Sequence, residues 1–168
     1  MSDTSDVIVG IDLGTTHSLV AFCDEAGPQV IRDEDGEGRV PSVLAFGPDG
    51  RATIGWEARA HAVENPRATV FSIKRLMGRG FTDLEKSELQ FLPYPVVRRH
   101  SAEEGRDVVA VDVGGRLLTP PELSALVLRE LKARAERKLG RPVHRAVITV
   151  PAYFDDCLLY TSPSPRDS

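Results

Sequence analysis

Cysteine is scarce in this chain of 168 residues, which contains Cys23 and Cys157 and no other cysteine. The two lie far apart and neither shows the spacing of a metal site, so the sequence predicts neither a disulfide framework nor bound zinc. Long apolar runs are also missing, and none approaches the roughly 20 residues that a membrane-spanning helix needs. The first six residues are acidic and lack the apolar centre of a signal peptide, so we expect no signal peptide and no membrane partner. The scarcity of cysteine favours a reducing cytoplasm as the compartment.

An excess of positive charge and the familiar nucleotide-binding loops are absent as well. The net charge is −4, which gives no reason to expect a nucleic acid as partner. No Gly-x-x-x-x-Gly-Lys-Ser/Thr occurs, and no Gly-x-Gly-x-x-Gly opens a helix, so the chain has neither a Walker A loop nor a dinucleotide loop. Hydrophobic residues at 41% and charged residues at 27% fit a globular protein that is long enough for one domain with a sizeable core.

What the sequence does contain is a small polar turn between two apolar strands. The first strand is predicted at Val7–Leu13 and the second at Ser18–Cys23. Successive backbone N–H groups in such a tight turn form a concave nest that can bind an anion. The pattern therefore favours a phosphate-binding loop, and the alternative is an ordinary hairpin with a polar turn.

Four residues of this turn carry chemistry that suits a nucleotide phosphate. Asp12 can hold a hydrated Mg²⁺, a hard cation that prefers carboxylate and phosphate oxygens. Gly14 lets the backbone come close to a ligand. Thr15 and Thr16 add hydroxyl donors to the N–H groups of the turn.

The rest of the chain alternates short strands and helices, which predicts an α/β fold. The further predicted strands are Pro28–Ile31, Val40–Phe46, Val96–Arg99, Val108–Val113, Arg116–Leu118 and Ala146–Val150. The predicted helical segments are Gly55–Glu64, a short turn at Ser72–Met77, Thr82–Leu89 with a capping box between Thr82 and Glu85, and Pro120–Leu139. Because Ala146–Val150 is apolar without strict alternation, we expect both of its faces to be covered.

The helix Pro120–Leu139 has the clearest signals. Thr119 and Glu122 match a capping box, and Gly140 ends the helix. Its predicted buried face consists of Leu123, Leu126, Val127, Leu131, Ala135 and Leu139. Its predicted solvated face contains Arg129, Lys132, Arg134, Arg137 and Lys138. We expect the helix to pack on one sheet that holds Val7–Leu13, Ser18–Cys23 and Ala146–Val150.

Four segments stand out when the whole chain is read. They are Gly10-Ile11-Asp12-Leu13-Gly14-Thr15-Thr16, Val40-Pro41-Ser42-Val43, Lys74-Arg75-Leu76-Met77-Gly78-Arg79 and Val147-Ile148-Thr149-Val150-Pro151-Ala152-Tyr153-Phe154-Asp155-Asp156. In order and spacing they resemble the nucleotide-binding domain of the seventy-kilodalton heat-shock chaperones, of the DnaK type, over residues 7–156. Sugar kinases, which belong to the same actin-like superfamily as acetate kinases, are similar in the first segment and lack the other three.

The resemblance implies roles for residues of the first and third segments. Asp12 would hold Mg²⁺ through water. Gly14, Thr15 and Thr16 would form the cofactor-binding loop, with the two threonines at the β- and γ-phosphates of the nucleotide. Lys74 would approach the γ-phosphate and help to place the attacking water, so that Lys74 and Asp12 are the implied catalytic residues.

The fourth segment carries an implied allosteric role. Pro151 resembles the proline switch of the family, which links the nucleotide state to the peptide-binding domain. Tyr153 and Phe154 would pack beside it. The alternative is a strand end with core aromatic residues.

For the protein as a whole, the resemblance implies an actin-like (ribonuclease H-like) ATPase fold and an ATP-dependent chaperone that acts in protein folding and heat-shock stress. Its cofactors would be ATP or ADP and Mg²⁺, and its partners client peptides, a J-domain co-chaperone and a nucleotide exchange factor. Lys74–Arg79, Leu92-Pro93-Tyr94 and Phe154-Asp155-Asp156 are similar to the HscA-type branch, which serves iron–sulfur cluster assembly. The alternatives are a small-molecule kinase and a non-catalytic actin-like interaction module.

Three features depart from the family pattern. His17 stands where the family most often has asparagine, and we interpret it as a strand-start residue, while Trp56 is interpreted as a packing residue. Residues 157–168 form a Ser/Pro-rich tail without helical period, where the family continues into a helix. We therefore expect residues 1–156 to be the first lobe of a truncated nucleotide-binding domain and residues 157–168 to be a non-native tail. With one lobe, this chain alone is expected to hydrolyse no ATP.

Overall fold

The computed structural model of the chain describes residues 7–84, 89–102 and 105–149. Within these residues, eleven strands form three sheets, with two α-helices and three short 3₁₀ turns between them. The strands are β1 (Ile8–Asp12), β2 (His17–Asp24), β3 (Gly27–Val30), β4 (Val40–Pro41), β5 (Val43–Phe46), β6 (Ala52–Ile54), β7 (Thr69–Phe71), β8 (Val96–Ser101), β9 (Arg106–Val113), β10 (Arg116–Leu118) and β11 (Arg145–Thr149). The helices are α1 (Trp56–His61) and α2 (Pro120–Leu139), and the 3₁₀ turns span Pro66–Ala68, Ile73–Arg75 and Phe81–Asp83.

The first sheet has the strand order β11-β1-β2-β3, and β4 pairs with the first residues of β2. β1 and β2 form an antiparallel hairpin, while β11 runs parallel to β1. Val9, Ile11 and Val20 on one face of this sheet belong to the same hydrophobic core as the buried side of α2, which contacts β2. The predicted α/β arrangement of these three strands and the helix is therefore confirmed.

The prediction that Ala146–Val150 is covered on both faces is wrong for the residues that the structure describes. Every residue of β11 is exposed, and Val147 is 65% exposed. Among the described strands, β11 lies at the edge of its sheet. An apolar run predicts burial only where another layer covers the strand, and the described residues place no such layer over β11.

The segment Val40–Phe46 does not form the single strand predicted for it. It breaks at Ser42 into β4, which joins the first sheet, and β5, which is the centre of a second sheet with the order β6-β5-β7. The chain therefore passes from one sheet to the next at Ser42. The sequence does not predict β6 or β7, because three residues are too few to show a period of two.

The third sheet is a meander with the order β10-β9-β8, and all three strands fall where the sequence predicts them. Its tight turn has positive φ at both Gly114 and Gly115, at 66° and 88°. Two consecutive residues with positive φ are what a type I′ hairpin turn requires. The predicted Gly-Gly hairpin is therefore confirmed.

α2 begins and ends where its caps predict. The Glu122 N–H donates to the Thr119 hydroxyl at 3.4 Å, and the Glu122 carboxylate accepts from the Thr119 N–H at 2.7 Å. Partial burial raises the pKa of Glu122, but the bonds from Thr119 and the Arg99 guanidinium outweigh this and lower that pKa below its ordinary value of 4.5. Gly140 ends the helix with φ of 65°.

The buried face of α2 agrees with the predicted one, although Leu126 and Leu139 are only half-buried. The predicted solvated face is wrong at Arg134, whose side chain is 12% exposed. Arg134 Nη2 lies 3.2 Å from the Asp33 carboxylate and donates to the Glu37 carbonyl, 97 residues earlier. Helical spacing does not predict this burial, because the loop that covers Arg134 comes from a distant part of the chain.

The sequence predicts a helix that begins at Thr82 and runs to Leu89, but the observed helical turn does not begin at Thr82. A 3₁₀ turn at Phe81–Asp83 starts one residue earlier, with Gly80 as its N-cap. The Asp83 carboxylate accepts a hydrogen bond of 2.8 Å from the Gly80 N–H. Residues 85–88, which include the rest of the predicted capping box, lie outside the described residues.

α1 lies inside the predicted helix Gly55–Glu64 and is shorter than it. The predicted turn at Ser72–Met77 contains the 3₁₀ turn Ile73–Arg75. Across residues 7–84, 89–102 and 105–149, neither helix combines the length and the hydropathy that crossing a membrane requires.

Candidate functional site

Asp12 and Thr149 mark the edge of the first sheet where the candidate site begins. β1 and β11 are parallel, so their carboxyl ends meet, and Asp12 lies beside Thr149 in the strand register. The Thr149 hydroxyl donates a hydrogen bond of 2.8 Å to Asp12 Oδ1. Because the Asp12 side chain is exposed, this bond orients the carboxylate and leaves it accessible to solvent.

The loop after Asp12 folds back so tightly that position 14 requires glycine. A Cβ built on Gly14 would lie 2.0 Å from the carbonyl oxygen of His17, far inside any normal contact. The Gly14 N–H is engaged as well, donating to the Ser18 hydroxyl at 3.2 Å. The close approach of one backbone segment of the chain to another therefore explains why position 14 is glycine.

Two buried serines hold this loop from the core side. Ser18 is 1% exposed, Ser42 is 6% exposed, and their hydroxyl oxygens are 2.8 Å apart. The Ser42 hydroxyl donates to the Gly14 carbonyl at 2.8 Å, and the Ser42 N–H donates to the Thr16 carbonyl at 2.9 Å. Ser42 thus binds the loop on both sides of Thr15.

Lys74 comes to the same loop from another part of the fold. It lies in the 3₁₀ turn Ile73–Arg75, and its Nζ donates a hydrogen bond to the Leu13 carbonyl, 61 residues earlier in the chain. The Lys74 side chain is half-buried. The fold therefore brings Lys74 next to the segment Asp12–Thr16, while the chemical roles of these residues stay a prediction.

The turn that presents Lys74 is entered through a strained residue. Ser72 has φ of 56° and ψ of 29°, in the left-handed region that residues other than glycine rarely occupy. Tyr94, which is 2% exposed, holds Phe71, the residue before Ser72. The Tyr94 hydroxyl donates to the Phe71 carbonyl, and the two rings meet edge to face at 5.6 Å. Burial raises the pKa of Tyr94, so the phenol stays protonated and remains a donor.

An aromatic and cationic cluster stands beside the start of β2. Trp56, the only tryptophan in the chain, is 48% exposed. Its ring centroid lies 6.1 Å from that of His17, and the Arg59 guanidinium lies 5.6 Å from the Trp56 ring. Trp56 therefore packs with about half of its surface and leaves the other half exposed, and His17 begins β2 as expected.

The groups at this edge suit a cation that is held mostly by water and phosphate. Asp12 offers an exposed carboxylate, and residues 7–84, 89–102 and 105–149 contain no group of three His, Cys, Asp or Glu side chains that could hold a metal ion. Mg²⁺ usually keeps several waters and takes one or two carboxylates together with phosphate oxygens. The donor set therefore fits Mg²⁺ that arrives with a nucleotide, and it does not fit a cage made of protein ligands alone.

Some residues around the site make contacts that the sequence does not predict: Ser18, Ser42, Tyr94 and Thr149. Ser42 and Thr149 stand inside segments that carry the family resemblance, so a signal exists for them. A hydroxyl in a motif does not reveal whether it binds a ligand or the chain. Tyr94 stands in the segment that is similar to the HscA-type branch, but that segment does not reveal its bond to the Phe71 carbonyl, 23 residues earlier. Ser18 has no such signal, because its burial and its bond to Ser42 depend on the fold.

The implied allosteric residues Pro151 and Tyr153, together with Phe154, lie outside the part of the chain that the structure describes. The same holds for Val150, the last residue of the predicted strand, and for residues 157–168. Their proposed roles therefore rest on the sequence.

A comparison with protein families matches the chain to a family model described as Hsp70 protein. The match runs over residues 8–158. It therefore spans all eleven strands and both helices described above, together with Asp12, the loop after it and Lys74.

Proposed function

The chain belongs to the Hsp70 family and has its actin-like ATPase fold, and we propose that it binds ATP or ADP at Asp12–Thr16 as part of a chaperone's ATPase centre. Members of this family are chaperones that bind nucleotide. In the proposal, binding and hydrolysis of ATP control the capture and release of client peptides.

The observation that carries the proposal is the position of the Lys74 ammonium at the Leu13 carbonyl, beside the loop. Phosphoryl transfer depends on holding the reacting groups in place and on neutralising charge that spreads over the phosphate oxygens. A lysine ammonium is a compact charge with three donors, which suits that task. In the proposal, Lys74 acts on the charge that develops at the γ-phosphate, and Thr15 and Thr16 hold the phosphates from the loop.

Asp12 is the residue proposed to hold Mg²⁺, through water molecules. Its carboxylate is exposed and is oriented by the Thr149 hydroxyl, which is the arrangement that water-mediated binding needs. When Mg²⁺ is bound with a nucleotide, it supplies positive charge to the phosphate oxygens. Asp12 and Lys74 are therefore the proposed catalytic residues.

We also propose that residues 1–156 form the first lobe of a nucleotide-binding domain and that residues 157–168 are a non-native tail. The face of the first sheet opposite the core supports this. Ile8, Val30 and Val147 share that face and are 46%, 40% and 65% exposed. Apolar surface of this kind usually faces another part of a protein. A second lobe would complete the nucleotide cleft, so the chain alone is expected to hydrolyse no ATP.

The proposed partners are client peptides, a J-domain co-chaperone and a nucleotide exchange factor, and the proposed compartment is the cytoplasm. Family membership supports these partners in general terms. Pro151, with Tyr153 beside it, is proposed to pass the nucleotide state to a peptide-binding domain. A role in heat-shock stress or in iron–sulfur cluster assembly stays a prediction from the resemblance.

The test uses the full-length protein, in which the proposed second lobe follows residues 1–156. Equilibrium dialysis of this protein against labelled ATP, with and without Mg²⁺, tests the proposed site. We expect Mg²⁺ to strengthen ATP binding in the wild type, and we expect Asp12→Asn to lose most of this strengthening because the carboxylate is gone. Asp24→Asn is the matched control, since Asp24 is an exposed aspartate at the other end of the same hairpin. Absence of ATP binding in the wild type would overturn the proposal.

A further inference from the structure

The backbone of Gly14 and the hydroxyls of Ser18 and Ser42 form a closed ring of hydrogen bonds. The Gly14 N–H donates to Ser18 Oγ at 3.2 Å, and the Ser42 hydroxyl donates to the Gly14 carbonyl at 2.8 Å. A serine hydroxyl has a single hydrogen, so the 2.8 Å bond between the two hydroxyls is donated by Ser18. Each bond in the ring therefore has one defined direction.

Peptide planarity extends this ring to the surface of the loop. None of the described peptide bonds is cis, and in a trans peptide the C=O and the following N–H point in opposite directions. The Gly14 carbonyl is directed at the buried Ser42, so the N–H of Thr15 points away from the core. The Thr16 carbonyl accepts from the Ser42 N–H at 2.9 Å, so the N–H of His17 also points away from Ser42.

We propose that Ser42, oriented by Ser18, is a positioning residue of the phosphate-binding loop, because it turns the N–H groups of Thr15 and His17 outward as donors for phosphate oxygens. This inference rests on the proposed function, since it requires a nucleotide at the loop. In this inference the Ser42 hydroxyl orients the Gly14 carbonyl, and the Ser18 hydroxyl orients Ser42. Because Ser42 is also the residue where the chain passes from the first sheet to the second, the ring ties the loop to the junction of the two sheets.

The test compares ligand affinities of full-length variants by isothermal titration calorimetry. We expect Ser42→Ala to weaken ATP and ADP binding about tenfold, the effect of losing well-directed hydrogen bonds to a charged group. Adenosine should bind to this variant as to the wild type, because it has no phosphate for the loop to hold. Ser42→Thr keeps the hydroxyl and should restore most of the affinity for ATP.

Thr69→Val is the matched control for general loss of structure. Thr69 is 1% exposed, and its hydroxyl donates a bond of 2.8 Å to the Asn65 carbonyl, in the second sheet rather than at the loop. Removing that hydroxyl deletes a buried hydrogen bond of the same kind as the Ser42 bond. We therefore expect Thr69→Val to leave the affinities for ATP and adenosine unchanged.

The outcomes separate this inference from the proposed function. If the wild type binds no ATP, the proposed function is overturned and this inference with it. If the wild type binds ATP and Ser42→Ala binds it as tightly, or loses ATP and adenosine equally, this inference alone is overturned.

Should Ser42→Ala fail to fold, Ser18→Ala takes its place. It opens the ring but leaves the Ser42 hydroxyl in position, so a smaller loss confined to the phosphate-bearing ligands supports the inference and unchanged binding overturns it.

Discussion

Alanine at position 14 should force the loop open, whereas alanine at position 10 should leave it intact. The Cβ added to Gly14 would lie 2.0 Å from the His17 carbonyl oxygen, where real Cβ contacts are essentially never below 3.0 Å. The two backbone segments must therefore separate by about 1 Å, since the obstacle is backbone rather than a flexible side chain. At Gly10, two residues before Asp12, an added Cβ meets nothing within 4 Å.

The size of the effect follows from this displacement. Forcing an extra carbon into a filled site typically costs about 1–3 kcal/mol, so we expect Gly14→Ala to lower the free energy of unfolding by that amount. A displacement of about 1 Å in a positioning group can reduce a reaction rate roughly a hundredfold. Gly10→Ala should instead be neutral or raise the free energy of unfolding by up to about 1 kcal/mol, because it restricts the unfolded chain.

Urea unfolding of the chain and ATP affinity of the full-length protein provide the two measurements. We expect Gly14→Ala to lose both stability and ATP affinity, and Gly10→Ala to keep both. Equal free energies of unfolding and equal affinities for the two variants would show that the loop tolerates a side chain at position 14, where the structure leaves no room.

Three further changes test other parts of the fold. Tyr94→Phe should lower the free energy of unfolding by about 1–3 kcal/mol, measured by urea unfolding, because it leaves the Phe71 carbonyl without the phenol donor; no loss would show that this bond contributes nothing. Arg134→Met should lower the melting temperature, whereas Lys132→Met on the solvated face should not, and equal effects would refute the distinction between the two residues. The pKa of Glu122 is lowered in the fold, so its stabilising contribution is present above pH 4.5 and is lost as the pH falls through the folded pKa. Glu122→Gln should therefore show a smaller fall in melting temperature between pH 6 and pH 3 than the wild type, and identical pH profiles would refute this.

Elements defined by local signals agree closely with their prediction. The capping box at Thr119 and the glycine at position 140 fix both ends of α2, and Gly114-Gly115 fixes a hairpin. In each case the residues that decide the conformation are within a few positions of one another. The hairpin of β1 and β2 is of the same kind, because its two strands are neighbours in the chain.

Features that depend on distant partners do not appear in the sequence pattern. The break at Ser42 arises because β4 pairs with β2 while β5 pairs with β6 and β7. Arg134 is buried by a loop that precedes it by 97 residues. The apolar residues of Ala146–Val150 predict a strand that is covered by other residues, but composition alone does not predict which residues would cover it. At the candidate site, the resemblance supplies Lys74, whereas the hydroxyl ring is revealed only by the fold.

Single-turnover hydrolysis of ATP by the full-length protein, with and without Lys74→Ala, tests whether Lys74 and the loop at Asp12–Thr16 act together in ATP hydrolysis. We expect Lys74→Ala to slow hydrolysis by at least about a hundredfold while ATP affinity stays within a few-fold of the wild type, because the ammonium acts on charge that develops during the reaction. Lys138→Ala, at the exposed end of α2, is the control and should hydrolyse ATP at the wild-type rate. Equal hydrolysis rates for Lys74→Ala and the wild type would contradict the claim that Lys74 and the loop at Asp12–Thr16 form one ATPase site.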